Sequence, residues 1–329
     1  MNNLSIFTLK VLRKLYTKTF GDSQLPPLQR EKDPDKISDI IYKLLMDEKP
    51  CMIARFGAFE LSTIINYIGV KQGRQPFFKY IKGEVPKWWW DEQLIKFMNT
   101  NAGFFPPTQE KIEQFCELML EDTKEVDLLG SWLNNEYYFL DKLPHANFVP
   151  LRMLEPFWAT ESWGKALKDK KILVVHPFDE TIKQQYKNRD KLFNNPDILP
   201  EFTSLHVIKA VQSLGGNQEQ FKDWFEALQW MKDEIDKHDY DICLIGCGAY
   251  GFPLAAHVKR QGKKAFHLGG ALQLLFGIRG KRWENPMYGV KEWGIPIGSY
   301  SSLMNEYWIR PNQTEKTKNA QQVEGACYW

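Results

Sequence analysis

The sequence has few cysteines, no long apolar run and almost no net charge, and each deficit excludes a class of protein. The five cysteines are odd in number and scattered, without a Cys-x-x-Cys pair, so neither a disulfide framework nor a zinc site is expected. No apolar run approaches the roughly 18 residues of a membrane span, and the N-terminus lacks a signal-peptide cleavage pattern. The net charge of +2 offers no strong field for nucleic acid. These deficits indicate a cytoplasmic protein, free or peripheral at the inner face of the cell membrane.

Aromatic residues, by contrast, are abundant, at 14% of the chain with 12 tryptophans. A tryptophan-rich core accounts for such a composition, and so does a surface on which flat rings stack against sugars. The aromatic groups at 88–90, 132–138 and 157–158 are candidate walls of a binding cleft, although core packing is the commoner fate of such residues. Composition alone leaves both interpretations open.

The first 21 residues contain no acidic residue. On a helical wheel Lys10, Arg13, Lys14 and Lys18 gather on one side, while apolar side chains cover much of the rest. This pattern is typical of a helix that lies on an anionic membrane surface. It also fits an N-terminal helix docked on the protein body or on a partner subunit. We therefore expect residues 1–35 to form a basic amphipathic helix and a linker.

Short apolar runs alternate with helical patterns beyond residue 35, which is typical of a parallel α/β sheet. The sequence predicts a single α/β domain over 36–310, with a Rossmann-like, mostly parallel sheet flanked by helices. Residues 75–150 are predicted to be a helical, aromatic-rich insertion in this domain, and 311–329 a polar C-terminal tail. The clearest strands are predicted at 51–54, 171–175, 205–208, 242–245 and 264–268.

A glycine-rich turn directly follows the predicted strand 242–245. Gly246, Gly248 and Gly251 have the spacing Gly-x-Gly-x-x-Gly, with Tyr250 in the same turn. Glycine there permits a tight turn and a close backbone approach by a ligand, and the next helix points its positive end at the turn. We predict that the turn binds the phosphate of a nucleotide or nucleotide-linked substrate.

The end of the next strand does not carry the acidic residue that a dinucleotide fold uses to hold the ribose. It carries His267, Gly269 and Gly270 instead. NAD, a flavin, a methyl donor and a glycine turn that binds nothing remain alternatives. A nucleotide sugar or another phosphorylated ligand is the preferred interpretation.

Other predicted strand ends bring further polar side chains to the same edge of the sheet, because parallel strands all end there. Arginine and backbone amides suit a diphosphate, and a carboxylate suits a proton or a metal. The candidate catalytic residues are Glu60 and Glu155, and the candidate ligand-binding residues are Arg55, Gly57, His176, Asp179, Gly246, Gly248, Tyr250, Gly251, His267, Gly269, Gly270, Lys281 and Arg282. Structural roles compete with these assignments: Glu60 sits where any helix favours a carboxylate, and Asp179 fits a helix cap.

One block resembles a known family. Residues 53–61, IARFGAFEL, resemble the arginine–phenylalanine–glycine–aspartate–glycine–glutamate–leucine block of glycosyltransferases with the GT-D fold. Segment 248–270 resembles that family's glycine turn, helix, strand and closing segment, and segments 176–186 and 272–283 resemble relatives from bacterial surface-polysaccharide gene clusters. The similarity spans roughly 38–310, although only the first block is a specific motif. The resemblance implies a hexosyltransferase that moves a sugar from a nucleotide-sugar donor to a hydroxyl of a capsule-type polysaccharide or a lipid-linked glycan precursor.

The sequence departs from this family at the metal site. In the family an Asp-x-Glu pair holds a divalent metal against the nucleotide diphosphate, but here the aspartate position is Ala58 and only Glu60 remains. One carboxylate is a poor site for Mg²⁺ or Mn²⁺, which need several oxygen ligands. We therefore predict no metal cofactor and metal-free binding through Arg55 and His176. A second carboxylate from Asp179 or Glu155 would be another way to complete a metal site, and loss of catalysis is a third interpretation.

Two functions from other classes remain open on the sequence. One is an NAD-dependent oxidoreductase that uses the turn at 246–251. The other is a catalytically degenerate sugar-nucleotide fold that serves as a scaffold in a polysaccharide assembly complex.

Overall fold

The apolar runs predicted as strands form the centre of a parallel sheet in a computed structural model, which describes residues 3–21, 25–26, 28–213, 220–322 and 325–329. The strands Cys51–Ala54 and Ile242–Ile245 are buried at every position. A strand covered on both faces has no use for polar alternation, which explains why these runs are continuously apolar.

The elements alternate along the chain as the sequence predicts. The strands are β1 Cys51–Ala54, β2 Leu128–Ser131, β3 Asn147–Pro150, β4 Lys171–His176, β5 Ser204–Lys209, β6 Ile242–Ile245 and β7 Lys264–His267. The α-helices are α1 Asn3–Phe20, α2 Pro34–Met46, α3 Ala58–Gln72, α4 Phe77–Ile81, α5 Glu92–Thr100, α6 Gln109–Asp122, α7 Asp179–Tyr186, α8 Arg189–Leu192, α9 Trp224–Asp236, α10 Gly251–Arg260, α11 Leu272–Leu275, α12 Lys281–Glu284 and α13 Val290–Trp293. Short 3-10 helices lie between them, including Asn134–Lys142, Leu151–Leu154 and Gly248–Tyr250.

Within the described residues the seven strands form one sheet in the order β3-β2-β1-β7-β6-β4-β5. Each neighbouring pair is parallel, with Ile53 opposite both Leu128 and Phe266, and Val174 opposite Leu244. The prediction of a Rossmann-like, parallel α/β fold is therefore confirmed. Since all seven strands run the same way, their carboxyl ends share one edge of the sheet.

The segment 75–150 is not wholly helical, which corrects the sequence prediction. It contains helices α4, α5 and α6, but it also supplies strands β2 and β3 at one side of the sheet. Both strands have only four residues, and β2 includes Gly130. A Cβ at Gly130 would lie 2.4 Å from Leu154 Cδ1, so the glycine that makes β2 look like a loop is required by tight packing.

The sheet divides the core into two layers. One layer contains helices α3, α6, α9 and α10, and its largest buried side chain is Trp224, which stacks on Tyr250 at 4.9 Å between ring centroids. The other layer contains α2, α7, α11 and segments near the C-terminus, including Trp308 and Trp329. Tryptophans thus fill much of the core, as one of the two interpretations of the composition expects.

Helix α1 is confirmed as a helix and it packs on the protein body. Its buried Leu9 forms a small cluster with Tyr80 and Trp89, and the Arg13 guanidinium lies 4.8 Å from the Tyr80 ring centroid. Among the described residues, none of the helices has both the length and the apolar character that crossing a membrane requires.

The C-terminal tail is docked on the body through Glu315, which is buried. Its carboxylate accepts hydrogen bonds from the backbone N–H groups of Glu180 at 2.8 Å and Thr181 at 3.2 Å, and from the Thr181 hydroxyl. These N–H groups belong to the first turn of α7, which has no intrahelical acceptors for them. A carboxylate from the tail therefore caps α7, although the tail is predicted from its composition to be merely polar.

Replacing Glu315 by alanine is expected to lower the free energy of unfolding by about 2–4 kcal/mol, because buried N–H groups of α7 would lose a charged acceptor. Urea denaturation measures the effect. The matched control is Thr314→Ala at the exposed neighbouring position, for which we expect a change within about 0.5 kcal/mol. Equal stability of the two variants would show that the tail does not cap α7.

Candidate functional site

The carboxyl edge of the sheet gathers one cluster of charged and aromatic side chains. Arg55 follows β1, Trp132 follows β2, and Glu155 follows the turn after β3. Residues from the last 50 of the chain cover them. We name this set the carboxyl-edge cluster; it consists of Arg55, Glu60, Trp132, Glu155, Arg282, Tyr288, Tyr300 and Tyr328.

Arg55 is held between an aromatic ring and a glycine. Its Cζ lies 5.2 Å from the Trp132 ring centroid, which is within the range of a cation–π interaction. On another side its Cδ is 3.5 Å from where a Cβ at Gly269 would lie, and Gly269 has a φ of +64°. The Trp132 indole donates to the Phe56 carbonyl oxygen at 3.0 Å, which fixes the ring. The guanidinium is thus pre-positioned at the end of β1.

The loop that carries Trp132 depends on Glu136, which the sequence analysis did not single out. The buried Glu136 carboxylate accepts hydrogen bonds from the Ser131 hydroxyl and from the backbone N–H groups of Trp132 and Leu133, both at 3.1 Å. Burial raises the pKa of Glu136, and these donors oppose the rise. Glu136 therefore orients the ring on which Arg55 lies.

Glu60 lies next to Arg55 at the start of α3. Its carboxylate folds back over Gly57, where a Cβ would be 1.8 Å from Oε2, so a larger residue at 57 would displace Glu60. Both charged side chains are partly exposed, yet desolvation is the main influence on the pKa of each. Burial lowers the pKa of Arg55 and raises that of Glu60, and each group opposes the shift of the other. Two opposite charges therefore lie together at the end of β1.

Glu155 is the most enclosed carboxylate of the cluster. Tyr300 donates its hydroxyl to the two oxygens at 3.0 and 2.9 Å, and the Trp158 indole donates to Oε2 at 2.8 Å. Burial raises the pKa of Glu155 to about 7, although these donors and Arg152 oppose the rise. A carboxyl group with this pKa exchanges protons near neutral pH, as a general acid or base must.

Tyr288 connects the two halves of the cluster. Burial raises the pKa of its hydroxyl; Arg282 and Arg55 lower it, while Glu155 and Tyr328 raise it. All four groups are therefore within electrostatic range of one phenol. The Tyr288 ring is also 5.3 Å from the Tyr300 ring, and Arg282 Cζ lies 5.9 Å from the Tyr288 centroid.

The C-terminus covers the cluster. The Tyr328 ring occupies the space beside Gly270, where a Cβ would be 2.3 Å from Cε1. Arg282 lies over the same ring at 4.9 Å, and its backbone N–H donates to the Cys327 carbonyl oxygen at 3.0 Å. Gly270 and Arg282 are both predicted ligand-binding residues, and both lie against the Tyr328 ring.

An open depression of about 540 Å³ lies beside Trp158, a hydrogen-bond donor to Glu155. Trp158 forms part of its wall and also donates to Glu155, while Ser299 and Ser301 flank the other donor, Tyr300. A tryptophan and several hydroxyl groups are typical of a surface that contacts carbohydrate. Of the predicted pair 157–158, Trp158 lines this depression.

The glycine turn is filled by the protein's own side chains. A Cβ at Gly251 would be 2.2 Å from the His267 ring, and one at Gly246 would be 2.7 Å from the Gly269 carbonyl oxygen and 2.8 Å from His176 Cδ2. Both glycines are therefore explained by internal packing. Gly248, with a φ of +60°, is exposed.

Burial favours the neutral form of both histidines, so His176, which is predicted to bind the diphosphate with Arg55, would bring no positive charge to it. Burial lowers the pKa of His176 and of His267 to about 3. His176 Nδ1 accepts a hydrogen bond from the Phe178 N–H at 3.0 Å, and His267 Nδ1 lies 3.3 Å from the Ile245 carbonyl oxygen. The cations of the site are therefore Arg55 and Arg282.

Three other predicted residues lie outside the cluster. Tyr250 is buried in the core against Trp224, so it does not face a ligand in the turn. Asp179 lies at the start of α7 with Oδ2 3.2 Å from Lys183 Nζ. Lys281 is exposed, and its Nζ is 3.5 Å from the Gly325 carbonyl oxygen. Within the described ranges no group of three or more His, Cys, Asp and Glu side chains is arranged to hold a metal ion.

Comparison with known proteins adds little to this geometry. No protein-family model matches the chain, and no curated protein matches it. A solved structure with detectable similarity is the selenomethionine-substituted structure of domain of unknown function 1792 (DUF1792), at 12% sequence identity and a TM-score of 0.33 over 96% of this chain and 99% of that one. Similarity at this level carries no inference about activity.

The buried His176 is expected to make the protein acid-sensitive. A histidine with a folded pKa near 3 stabilises the protein fully above its unfolded pKa of about 6.5, and this contribution is lost as the pH falls towards 3. The free-energy difference between wild type and His176→Asn should therefore change by roughly 2 kcal/mol between pH 8 and pH 5. Urea denaturation at pH 8, 7 and 5 measures it. The difference should be constant between pH 8 and 7, and a constant difference down to pH 5 would contradict the buried neutral state.

Proposed function

We propose that the protein is a glycosyltransferase of the hexosyltransferase type, which moves a sugar from a nucleotide-sugar donor to an acceptor hydroxyl. One observation carries the proposal: two arginines and two carboxylates meet at the carboxyl edge of a parallel sheet, where α/β proteins bind their ligands. Cations suit the diphosphate of the donor, and a carboxyl group that titrates near neutral pH suits the acceptor proton.

Arg55 and Arg282 are the groups assigned to the diphosphate. Guanidinium groups make charge-assisted, often paired hydrogen bonds to phosphate oxygens. Both arginines are stacked on aromatic rings, Arg55 on Trp132 and Arg282 on Tyr328, so little side-chain freedom would be lost on binding. Glu60 balances the charge of Arg55 until the anionic donor arrives.

Glu155 is assigned the proton transfer. Its ionised form accepts the proton of the acceptor hydroxyl, and the acceptor oxygen attacks the anomeric carbon of the donor sugar. The bond from that carbon to the diphosphate oxygen breaks, and the diphosphate leaves with the electron pair. Arg55 and Arg282 stabilise the charge that develops on the leaving group. The acceptor sugar approaches through the depression beside Trp158.

The finer assignment rests on the resemblance of residues 53–61 to the GT-D block. On that basis the acceptor is a hydroxyl of a cell-surface polysaccharide or of a lipid-linked glycan precursor. The same resemblance, with Ala58 in the metal position, supports binding of the donor without a divalent metal. Nothing in the cluster favours an oxidoreductase, because the protein's own groups fill the space beside two glycines of the turn at 246–251. The His267 ring lies beside Gly251, and the His176 ring and the Gly269 carbonyl oxygen lie beside Gly246.

Calorimetry with UDP, GDP, CMP and NAD tests the proposal. We expect a nucleoside diphosphate to bind and NAD not to bind. Binding of NAD alone would refute the transferase and favour the oxidoreductase. If none of the four ligands binds, the protein is better explained as a non-catalytic scaffold.

A further inference from the structure

Helix α1 has apolar side chains on two opposite faces, and the protein body covers only one of them. The inner face carries the buried Leu9, which clusters with Tyr80 and Trp89, and the half-buried Ile6, which packs against this cluster. Four apolar residues of the outer face follow one another at spacings of three or four residues and so form one stripe: Leu4, Phe7, Val11 and Leu15. An N-terminal helix needs only one apolar face to dock on its own domain.

The outer stripe is exposed to a degree that single surface residues rarely reach. The exposed fractions are 74% for Leu4, 65% for Phe7 and 56% for Leu15. Helix α4, on which the inner face of α1 packs, also exposes an apolar side chain, Phe78, at 60%. A contiguous apolar surface of this kind marks a contact with a partner or a membrane.

The charge around the stripe is of one sign. Lys14 and Lys18 lie along the same outer face as Phe7 and Leu15, and α1 has no acidic residue in its first turn. The helix carries four basic residues and no acidic one. Apolar side chains between lysines fit a surface with anionic groups outside and hydrocarbon beneath. Two copies of this face would repel each other, since each would bring the same positive charge to the other.

We propose that the outer face of α1 docks on an anionic lipid surface. The helix lies in the plane of the interface: the stripe enters the boundary between headgroups and acyl chains, and the lysines contact anionic headgroups. Leu9 and Arg13 keep the helix attached to the body, so docking fixes the orientation of the whole domain.

Helix α1 lies close to a loop at the carboxyl edge of the sheet, because it packs on α4 and the Tyr138 hydroxyl donates to the Glu84 carbonyl oxygen, just beyond α4, at 3.5 Å. Arg13 is near the phenol of Tyr138, whose pKa is raised by burial and lowered by Arg13. Tyr138 belongs to the 3-10 helix Asn134–Lys142, which follows Trp132 at the end of β2. A lipid-linked acceptor would then meet the enzyme at the membrane surface. The docking itself does not depend on the proposed activity, because vesicle binding is measured without donor or acceptor.

Co-sedimentation of the full chain with vesicles tests the docking. We expect binding to vesicles that contain about 30% phosphatidylglycerol in phosphatidylcholine, and little binding to phosphatidylcholine alone. Replacing Leu4, Phe7 and Leu15 by serine should weaken binding roughly 100-fold or more, because each side chain would otherwise be buried in lipid. Lys14→Ala with Lys18→Ala should weaken it by roughly 25-fold, and high salt should do the same.

The matched control is Met46→Ser with Met287→Ser, which changes exposed apolar residues outside α1 and α4 and should leave vesicle binding intact. Circular dichroism of each variant checks that the fold is retained. Absence of binding to anionic vesicles, or equal binding of the serine triple variant, would overturn the proposal. So would a dimer in sedimentation that the triple variant converts to a monomer without any vesicle binding, because a second copy would then cover the stripe.

Discussion

Replacing Glu155 by glutamine is expected to lower turnover by about 10²–10⁴-fold, with nucleotide affinity close to that of the wild type. Glutamine keeps the size of the side chain and can still accept hydrogen bonds from Tyr300 and Trp158, but it cannot take a proton. If Arg55 and Arg282 hold the nucleotide as proposed, nucleotide affinity should not depend on Glu155, so chemistry and binding should separate. Steady-state kinetics and calorimetry on the same preparation measure the two effects.

The pH dependence of turnover tests this role of Glu155 independently. A base works only when ionised, so activity should rise as the pH increases through about 7, the raised pKa of Glu155. The matched control is Tyr300→Phe, which removes a donor that lowers this pKa. Its activity profile should move to higher pH while the maximal rate is retained. Glutamine at 155 with wild-type turnover, or an unmoved profile in Tyr300→Phe, would show that Glu155 does not transfer the proton.

The sequence predicts the centre of the sheet well because burial there is uniform. Strands β1, β4 and β6 are covered on both faces, so their apolar runs are continuous and need no tertiary information to be recognised. Strands β2 and β3 are short, and Gly130 is present because Leu154 packs against it. This packing depends on the tertiary arrangement of β2 and the turn after β3, so the sequence alone does not reveal it.

Four residues predicted from the sequence lie in the carboxyl-edge cluster: Arg55, Glu60, Glu155 and Arg282. Arg55 is the simplest case, since it directly follows β1 and strand direction alone brings it to the edge. Tyr288 and Tyr300 lie in an irregular segment and reach the site through tertiary contacts, so no local pattern marks them. The charge state of His176 was not predictable for a different reason. Its position at the end of β4 brings it to the carboxyl edge, but the sequence does not reveal that the ring is buried, and burial favours its neutral form.

Replacing Arg55 by alanine is expected to weaken binding of a nucleoside diphosphate by roughly ten- to a hundredfold. A charge-assisted contact to phosphate in a desolvated position contributes about 1.5–3 kcal/mol, which corresponds to that range. Arg55→Lys should recover only part of the affinity, because an ammonium group lacks the planar fork and stacks less well on Trp132. Calorimetry with the nucleotide identified in the binding screen measures each variant.

Three variants limit the interpretation of this loss. Lys281→Ala removes an exposed cation next to Arg282 and should leave affinity nearly unchanged. His176→Asn should do the same, since the neutral histidine carries no charge to the diphosphate. Glu60→Gln should preserve binding but lower turnover if its carboxylate serves the reaction as partner of Arg55. A loss of affinity in Lys281→Ala equal to that in Arg55→Ala would mean that binding depends on overall charge and not on the cluster.

Metal removal completes the argument about Arg55. If Arg55 and Arg282 hold the diphosphate, EDTA should leave nucleotide affinity nearly unchanged and added Mn²⁺ should increase it little, because Ala58 supplies no second carboxylate beside Glu60. If EDTA abolished binding, the opposite conclusion would follow. Glu60 would then be a metal ligand, and a second carboxylate would have to complete the coordination shell of the metal. Glu155 would be the first candidate, since it already shares the electrostatic environment of Tyr288 with Arg55. In that case Arg55→Ala should weaken binding of the metal-bound nucleotide far less than tenfold.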